Sequence, residues 1–300
     1  MTEWVWLNGT VTPLSDAKVS IEDRGYQFAD GVYEVIRIYN GKSFTLKEHL
    51  DRLYRSAKDI QISLSIDQPA LTRELNNLIA KAALKDAMVY LQATRGTCPR
   101  NHLYPETACK PTILFYVRQL PPPPVIGQID GVKLITLPDE RWKRCWIKSI
   151  ALLPNVLAKN AAVSTGADEA VFVDDNGTIT ECSVSNFYAI IKGALVTHPV
   201  GPKVLPGITR LVVLDCAGQL GIPVQERAMT EPEAASADEI FITSTTREIG
   251  WVSHWNGKQT ASAPGLLTDR LHQAFRKRVT QETGYEFAAP RTRRAIAAPT

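Results

Sequence analysis

The 300-residue chain has no apolar run of membrane-spanning length. Its opening Met1-Thr-Glu-Trp also lacks the basic and apolar regions of a secretory leader, so neither a membrane-embedded nor an exported protein is expected. Cysteine is sparse and unpatterned: Cys98, Cys109, Cys145, Cys182 and Cys216 are odd in number and show no CxxC or paired spacing. That argues against a zinc site or a disulfide framework, and for reduced thiols in a cytoplasmic protein with no metal. Net charge is nearly absent. Of the formal +3, Arg291, Arg293 and Arg294 contribute three positive charges in a tail with no acid after Glu286. The body is therefore neutral, which gives no reason to expect a nucleic-acid or membrane surface. There is no internal repeat.

What is present reads as an ordinary globular protein, 44% hydrophobic and 22% charged. Its length exceeds what one core fills, so two domains are expected. Pro121–Pro124 cannot sit inside a helix or sheet and prefer a stiff, extended conformation. They mark the boundary: residues 1–118, a linker at 119–128, residues 129–287, and an Ala/Pro/Arg-rich tail at 288–300 expected to be disordered. Local patterns predict a strand at Val19–Glu22 and a polar two-glycine loop at Asp23–Gly31. A strand follows at Val32–Tyr39 with Tyr33 at its mouth. Thr45-Leu-Lys-Glu48 reads as a capping box opening a helix with Leu46, Leu50, Leu53, Tyr54 and Ala57 on its buried side. Arg52 falls off that stripe, where pairing with Glu48 one turn back is the ordinary reading.

Two charged residues stand out between Arg141 and Asn186. Cys145–Ile150 reads as a short strand leading into an Ala-rich helix, with Lys148 sharing a face with Trp146. A lysine beside an indole and ahead of a buried helix is a candidate for a desolvated amine, the form suited to Schiff-base chemistry. A strand-end lysine is more commonly a surface residue, and Lys143 and Lys159 compete for the role. Glu181 shares a face with Ile179; if that face is buried, the carboxylate needs a cationic partner. Elsewhere the chain offers the parts of a phosphate site. Gly207-Ile208-Thr209 opens a helix with free N–H groups, Ser244-Thr245-Thr246 supplies hydroxyls at a strand end, and Arg52 supplies a guanidinium fork.

Taken in order, these stretches resemble the class IV, or fold type IV, aminotransferases that use pyridoxal 5′-phosphate. The markers are Arg24–Glu34, Glu48–Leu53, the Lys148 segment, Glu181–Asn186, Leu205–Arg210 and Thr243–Glu248, spread from Asp23 to about Glu282. The resemblance implies an α+β fold of two domains, a smaller N-terminal α/β sandwich and a larger C-terminal pseudo-barrel with flanking helices. It implies that Lys148 forms the Schiff base with the cofactor and that Glu181 pairs with the pyridine nitrogen. Arg52, Gly207, Ile208, Thr209, Ser244 and Thr245 would hold the phosphate.

Within the family, Arg100-Asn101-His102 is similar to the Arg-x-His pattern of D-amino-acid aminotransferases, whose two side chains trap the substrate carboxylate together with the residue matching Tyr33. The resemblance implies a homodimer in which this loop reaches into the other subunit's site, and a ping-pong exchange between an amino acid and a 2-oxo acid such as 2-oxoglutarate. Branched-chain and (R)-amine transaminases and aminodeoxychorismate lyases share the cradle and are the alternatives. Cys182 and Val184 depart from the usual glycine and hydroxyl residues after the glutamate, and Val184 removes a hydroxyl on the substrate side.

Overall fold

In the computed structural model, residues 3–105 and 109–288 are described. The tail from residue 289 onward, expected to be disordered, lies outside them. A six-stranded antiparallel sheet is built from β1 (Trp4–Leu7), β2 (Thr10–Pro13), β3 (Gly31–Tyr39), β4 (Lys42–Ser43), β5 (Ala87–Thr94) and β6 (Thr112–Gln119), ordered β2-β1-β6-β5-β3-β4. Helices α1 (Arg24–Phe28), α2 (Leu46–Asp59) and α3 (Gln68–Ala82) belong to the same half of the chain. Leu50, Leu53 and Ala57 of α2 and Leu71, Leu75 and Leu78 of α3 pack with Ile36, Val89, Leu91 and Phe115 from the sheet. Helical spacing and strand alternation place these residues on facing surfaces.

The second sheet has nine strands: β7 (Val132–Pro138), β8 (Glu169–Val173), β9 (Ile179–Cys182), β10 (Asn186–Ile191), β11 (Ala194–Thr197), β12 (Val224–Glu226), β13 (Glu239–Ser244), β14 (Glu248–Trp255) and β15 (Lys258–Gln259). Its order is β12-β11-β10-β13-β14-β7-β8-β9, with β15 paired to β14. Strand β9 lies at one end, yet only Ser183–Ser185 separate it from β10, five strand steps away along the sheet. Laid flat, those steps span roughly 24 Å, whereas three connecting residues reach at most about 14 Å. The sheet must therefore curl, bringing the start of β10 back beside the end of β9. Helices α4 (Leu153–Ser164), α5 (Ile208–Gln219), α6 (Glu231–Ala235) and α7 (Leu266–Thr283) complete this half. Tyr39 and Phe44 pack with Val213, Phe241 and Phe275, so the first half of the chain is stitched to the second.

Several local expectations are corrected. Val19–Glu22 is not a strand, and the Asp23–Gly31 stretch contains helix α1, because the Asp23 side chain accepts a hydrogen bond from the Gly25 amide as an N-cap. The capping box at α2 does not form. Thr45 is left-handed (φ 53°), its hydroxyl donates to the Phe44 carbonyl, and its own amide donates to Glu282 at 2.7 Å. Cys145–Ile150 is a turn ending in a single bridge from Ser149 to Val32. Cys98 and Cys109 are joined in a disulfide, their Cα atoms 6.3 Å apart, while Cys145, Cys182 and Cys216 are free. The expectation of five reduced thiols is corrected for that pair: a proline-bearing loop folds two distant cysteines together, which spacing along the chain does not reveal.

Candidate active site

The curl of the nine-stranded sheet and the mouth of β3 enclose a cavity of about 780 Å³. It is lined by Tyr33, Arg52, Lys148, Glu181, Gly207, Ile208, Thr209, Ser244 and Thr245, residues drawn from across 213 positions of sequence. Nine of the eleven residues singled out in the sequence thus meet at one place. Arg100 and His102 do not. They sit exposed on the 95–105 loop, each against the ring of Phe28 in their own chain, at 4.9 and 5.3 Å.

Lys148 is half-buried, with its Nζ 3.3 Å from the Tyr33 hydroxyl and 4.3 Å from the ring centroid. The turn that carries it is pinned by two backbone contacts to β3 and α2. The Tyr33 amide donates to the Lys148 carbonyl at 3.0 Å, and the Lys148 amide donates to the Ser56 hydroxyl at 3.2 Å. A turn held on both sides aims a side chain as firmly as a strand does.

Arg52 is buried (2% exposed) and pairs not with Glu48 but with Glu34. Its Nε and Nη2 donate to the two Glu34 oxygens at 2.7 Å each, while Nη1 donates to the Pro206 carbonyl at 2.8 Å. His49, three residues before Arg52 on α2, meets the same carboxylate at 2.7 Å. Although burial opposes ionisation, Arg52 and His49 together hold the Glu34 carboxyl down at about 2. Three of the five guanidinium N–H groups are spent here, leaving two for an anion.

Glu181 is buried (5% exposed) among three donors: the Arg141 guanidinium on Oε1, and the Asn186 amide (2.9 Å) and the Leu205 backbone amide (3.1 Å) on Oε2. Burial pushes the Glu181 carboxyl up, while Asp139 and then Glu181 raise Arg141 against its own burial and keep it charged. These shifts point opposite ways for one ion pair. Since all three partners are donors, the ionised form is the one this geometry holds. A carboxylate has about four acceptor positions, so one remains.

The α5 N-terminus opens at Gly207 with no side-chain cap. A Cβ at 207 would stand 2.0 Å from Asn186 Oδ1, the far side of the amide that braces Glu181. Ser183 Oγ, buried on the cavity wall, has no hydrogen-bond partner. A half-buried amine, a carboxylate with a spare acceptor position, an uncapped helix start with a guanidinium beside it and an orphaned hydroxyl together fit a phosphorylated aldehyde carrying a basic ring nitrogen.

Glu34, Arg141 and Asn186 carry no assigned role in the sequence reading. Each has a weak signal in hindsight. Glu34 is the one acid in the strand run Val32–Tyr39, Arg141 opens the Lys148 segment, and Asn186 closes the Glu181 segment.

The chain is also similar to known proteins along most of its length. The profile of the family described as amino-transferase class IV matches residues 31–255. A D-alanine aminotransferase of Bacillus licheniformis is 44% identical over 280 residues, covering 93% of this chain and 98% of its own. One from Staphylococcus haemolyticus is 40% identical over 274 residues, covering 91% and 96%. Among solved structures, the T.th. branched-chain amino acid aminotransferase with pyridoxamine 5′-phosphate superposes with a TM-score of 0.86 at 25% identity, covering 95% and 96%. That of Escherichia coli gives 0.84 at 26%, covering 92% and 94%.

Proposed function

The chain belongs to the class IV aminotransferases, and from that premise we propose that it transfers the amino group of a D-amino acid such as D-alanine to a 2-oxo acid such as 2-oxoglutarate. The observation that carries this reading is the meeting of Lys148, Glu181, Arg52 and the α5 N-terminus around one cavity. The Arg100-x-His102 loop and the D-alanine aminotransferases among the relatives favour D-amino acids over the branched-chain alternative.

Its cofactor is pyridoxal 5′-phosphate, which when bound supplies an aldehyde for amine exchange and a ring that withdraws electrons from the substrate Cα. Arg52, through its two spare N–H groups, would hold the phosphate together with the amides of Ile208 and Thr209 and the hydroxyls of Ser244 and Thr245. Gly207 leaves room for the Asn186 amide beside it. Glu181 would accept the ring N–H at its remaining acceptor position, with Arg141 and Asn186 fixing its plane. Lys148 Nζ would anchor the cofactor and, once freed, would hold and move the proton that leaves the substrate Cα. Tyr33 orients that amine from 3.3 Å and would face the substrate carboxylate.

Arg100 and His102 would complete the carboxylate clamp from a second subunit. The support is their exposure away from the cavity and an unpartnered apolar face beside it. Leu153, Val156, Leu157 and Val163 of α4 are all 50% or more exposed, as is Val184, and Val156 and Val184 line the cavity. A homodimer would cover them. We place the domain boundary at the proline run, and the enzyme in the cytoplasm.

The test is a coupled assay with D-alanine, L-leucine and (R)-phenylethylamine side by side, using 2-oxoglutarate or pyruvate as acceptor. D-alanine turnover that needs an acceptor is expected. Preference for L-leucine, or pyruvate release from 4-amino-4-deoxychorismate without any acceptor, would overturn the assignment.

A further inference from the structure

Strands β13 and β14 are joined by a tight turn in which Ser244 pairs with Glu248, leaving Thr245, Thr246 and Arg247 as the loop. Glu248 closes that turn in the left-handed region, at φ 63°, where glycine is the ordinary occupant. Its side chain is buried (3% exposed) and clasped from two distant elements. The Tyr39 hydroxyl donates to Oε1 at 2.8 Å, and His272 and the Arg276 Nε of α7 meet Oε2 at 2.9 and 2.8 Å. Opposed by burial, these partners still hold the Glu248 carboxyl below the usual range. None of the three lines the cavity, whereas Ser244 and Thr245 do.

We propose that Glu248 is a positioning residue for the cofactor phosphate: its clasped carboxylate keeps residue 248 left-handed and thereby sets the Ser244 and Thr245 donors at the cavity wall. This rests on the reading that those hydroxyls face the phosphate. Tyr39 ends the same strand that carries Tyr33 and Glu34. One strand would then register both phosphate contacts, Arg52 through Glu34 and Thr245 through Glu248.

A clasp that serves only general stability and one that sets the turn respond differently to glycine. Glu248→Ala loses the clasp and dislikes the left-handed region, whereas Glu248→Gly loses the clasp but adopts that conformation without cost. Apoenzyme titrated with pyridoxal 5′-phosphate, followed by absorbance, should show a Kd about tenfold higher for Glu248→Ala, the size of the left-handed penalty. For Glu248→Gly the rise should stay within about threefold. Melting temperatures should fall for both, since Tyr39, His272 and Arg276 lose their acceptor in each.

Equal weakening of both variants, or of neither, overturns the proposal. Should Glu248→Ala not fold, Tyr39→Phe serves in its place: an approximately threefold higher Kd is expected, and an unchanged Kd overturns the proposal. Thr245→Val separates the two levels. If it leaves affinity intact, the phosphate reading and this inference fall together. If it weakens binding while Glu248→Ala does not, the inference alone fails.

Discussion

Arg52 illustrates how a residue that lines the cavity can be singled out in the sequence for an incomplete reason. Its position off the apolar stripe of α2 predicts solvent exposure, but a second buried row formed by His49, Arg52 and Ser56 meets Glu34 and the Lys148 turn. Motif order located the arginine. Its orienting partner was not legible, because Glu34 lies on a different element 18 residues away and nothing local links the two. The Glu34 carboxyl, ordinarily near 4.5, is held at about 2 in the folded protein. A depressed pKa contributes stability above the unfolded value that is lost as pH falls through the folded one, here about 3 kcal/mol given up between roughly pH 4.5 and 2. Glu34→Gln should therefore be less stable than the parent at pH 7, and the difference should shrink toward pH 2 in denaturant titrations. A difference independent of pH would contradict the ion-pair account of Arg52.

At the scale of elements, strands and helices with strong periodicity were legible, whereas the pieces that aim functional atoms were not. The alternation in Cys145–Ile150 mimics a strand, but the chain turns there and borrows its order from Tyr33 and Ser56. The Thr45–Glu48 pattern mimics a capping box, yet the role falls to Glu282, 237 residues away. Such long-range substitutions leave no local trace. The start of α5 is the opposite case, for a glycine ahead of Ile-Thr-Arg was correctly read as an open helix end. Gly207→Ala would drive a methyl into Asn186, which is fixed by bonds to Glu181 and Leu205. Displacing Asn186 disturbs the ring and phosphate ends of the cradle at once. An increase of about tenfold or more in the pyridoxal 5′-phosphate Kd is expected from equilibrium titration, with far-UV circular dichroism unchanged.

For the whole molecule, the decisive feature is what one chain does not bring together. The Arg100-x-His102 loop is anchored to its own α1, with the Arg24 guanidinium donating to the Asn101 carbonyl at 2.5 Å, and it stays outside the cavity. If a second subunit supplies it, Lys148→Ala and Arg100→Ala chains, each nearly inactive alone, should complement on subunit exchange. A random mixture should recover about a quarter of parental activity, since half the dimers carry one intact site. Failure to complement would place the clamp within one chain. Leu153→Asp with Leu157→Asp should shift the protein to monomer in light scattering and abolish turnover, as two charges cannot be buried in an apolar contact.

The proposed chemistry depends on the amine at residue 148 holding the aldehyde cofactor, and reduction makes that bond permanent. Holoenzyme treated with borohydride, digested and analysed by mass spectrometry should carry one phosphopyridoxyl group, on the peptide containing Lys148. The same group on Lys143 or Lys159, or no modified lysine in a protein that turns over D-alanine, would contradict it.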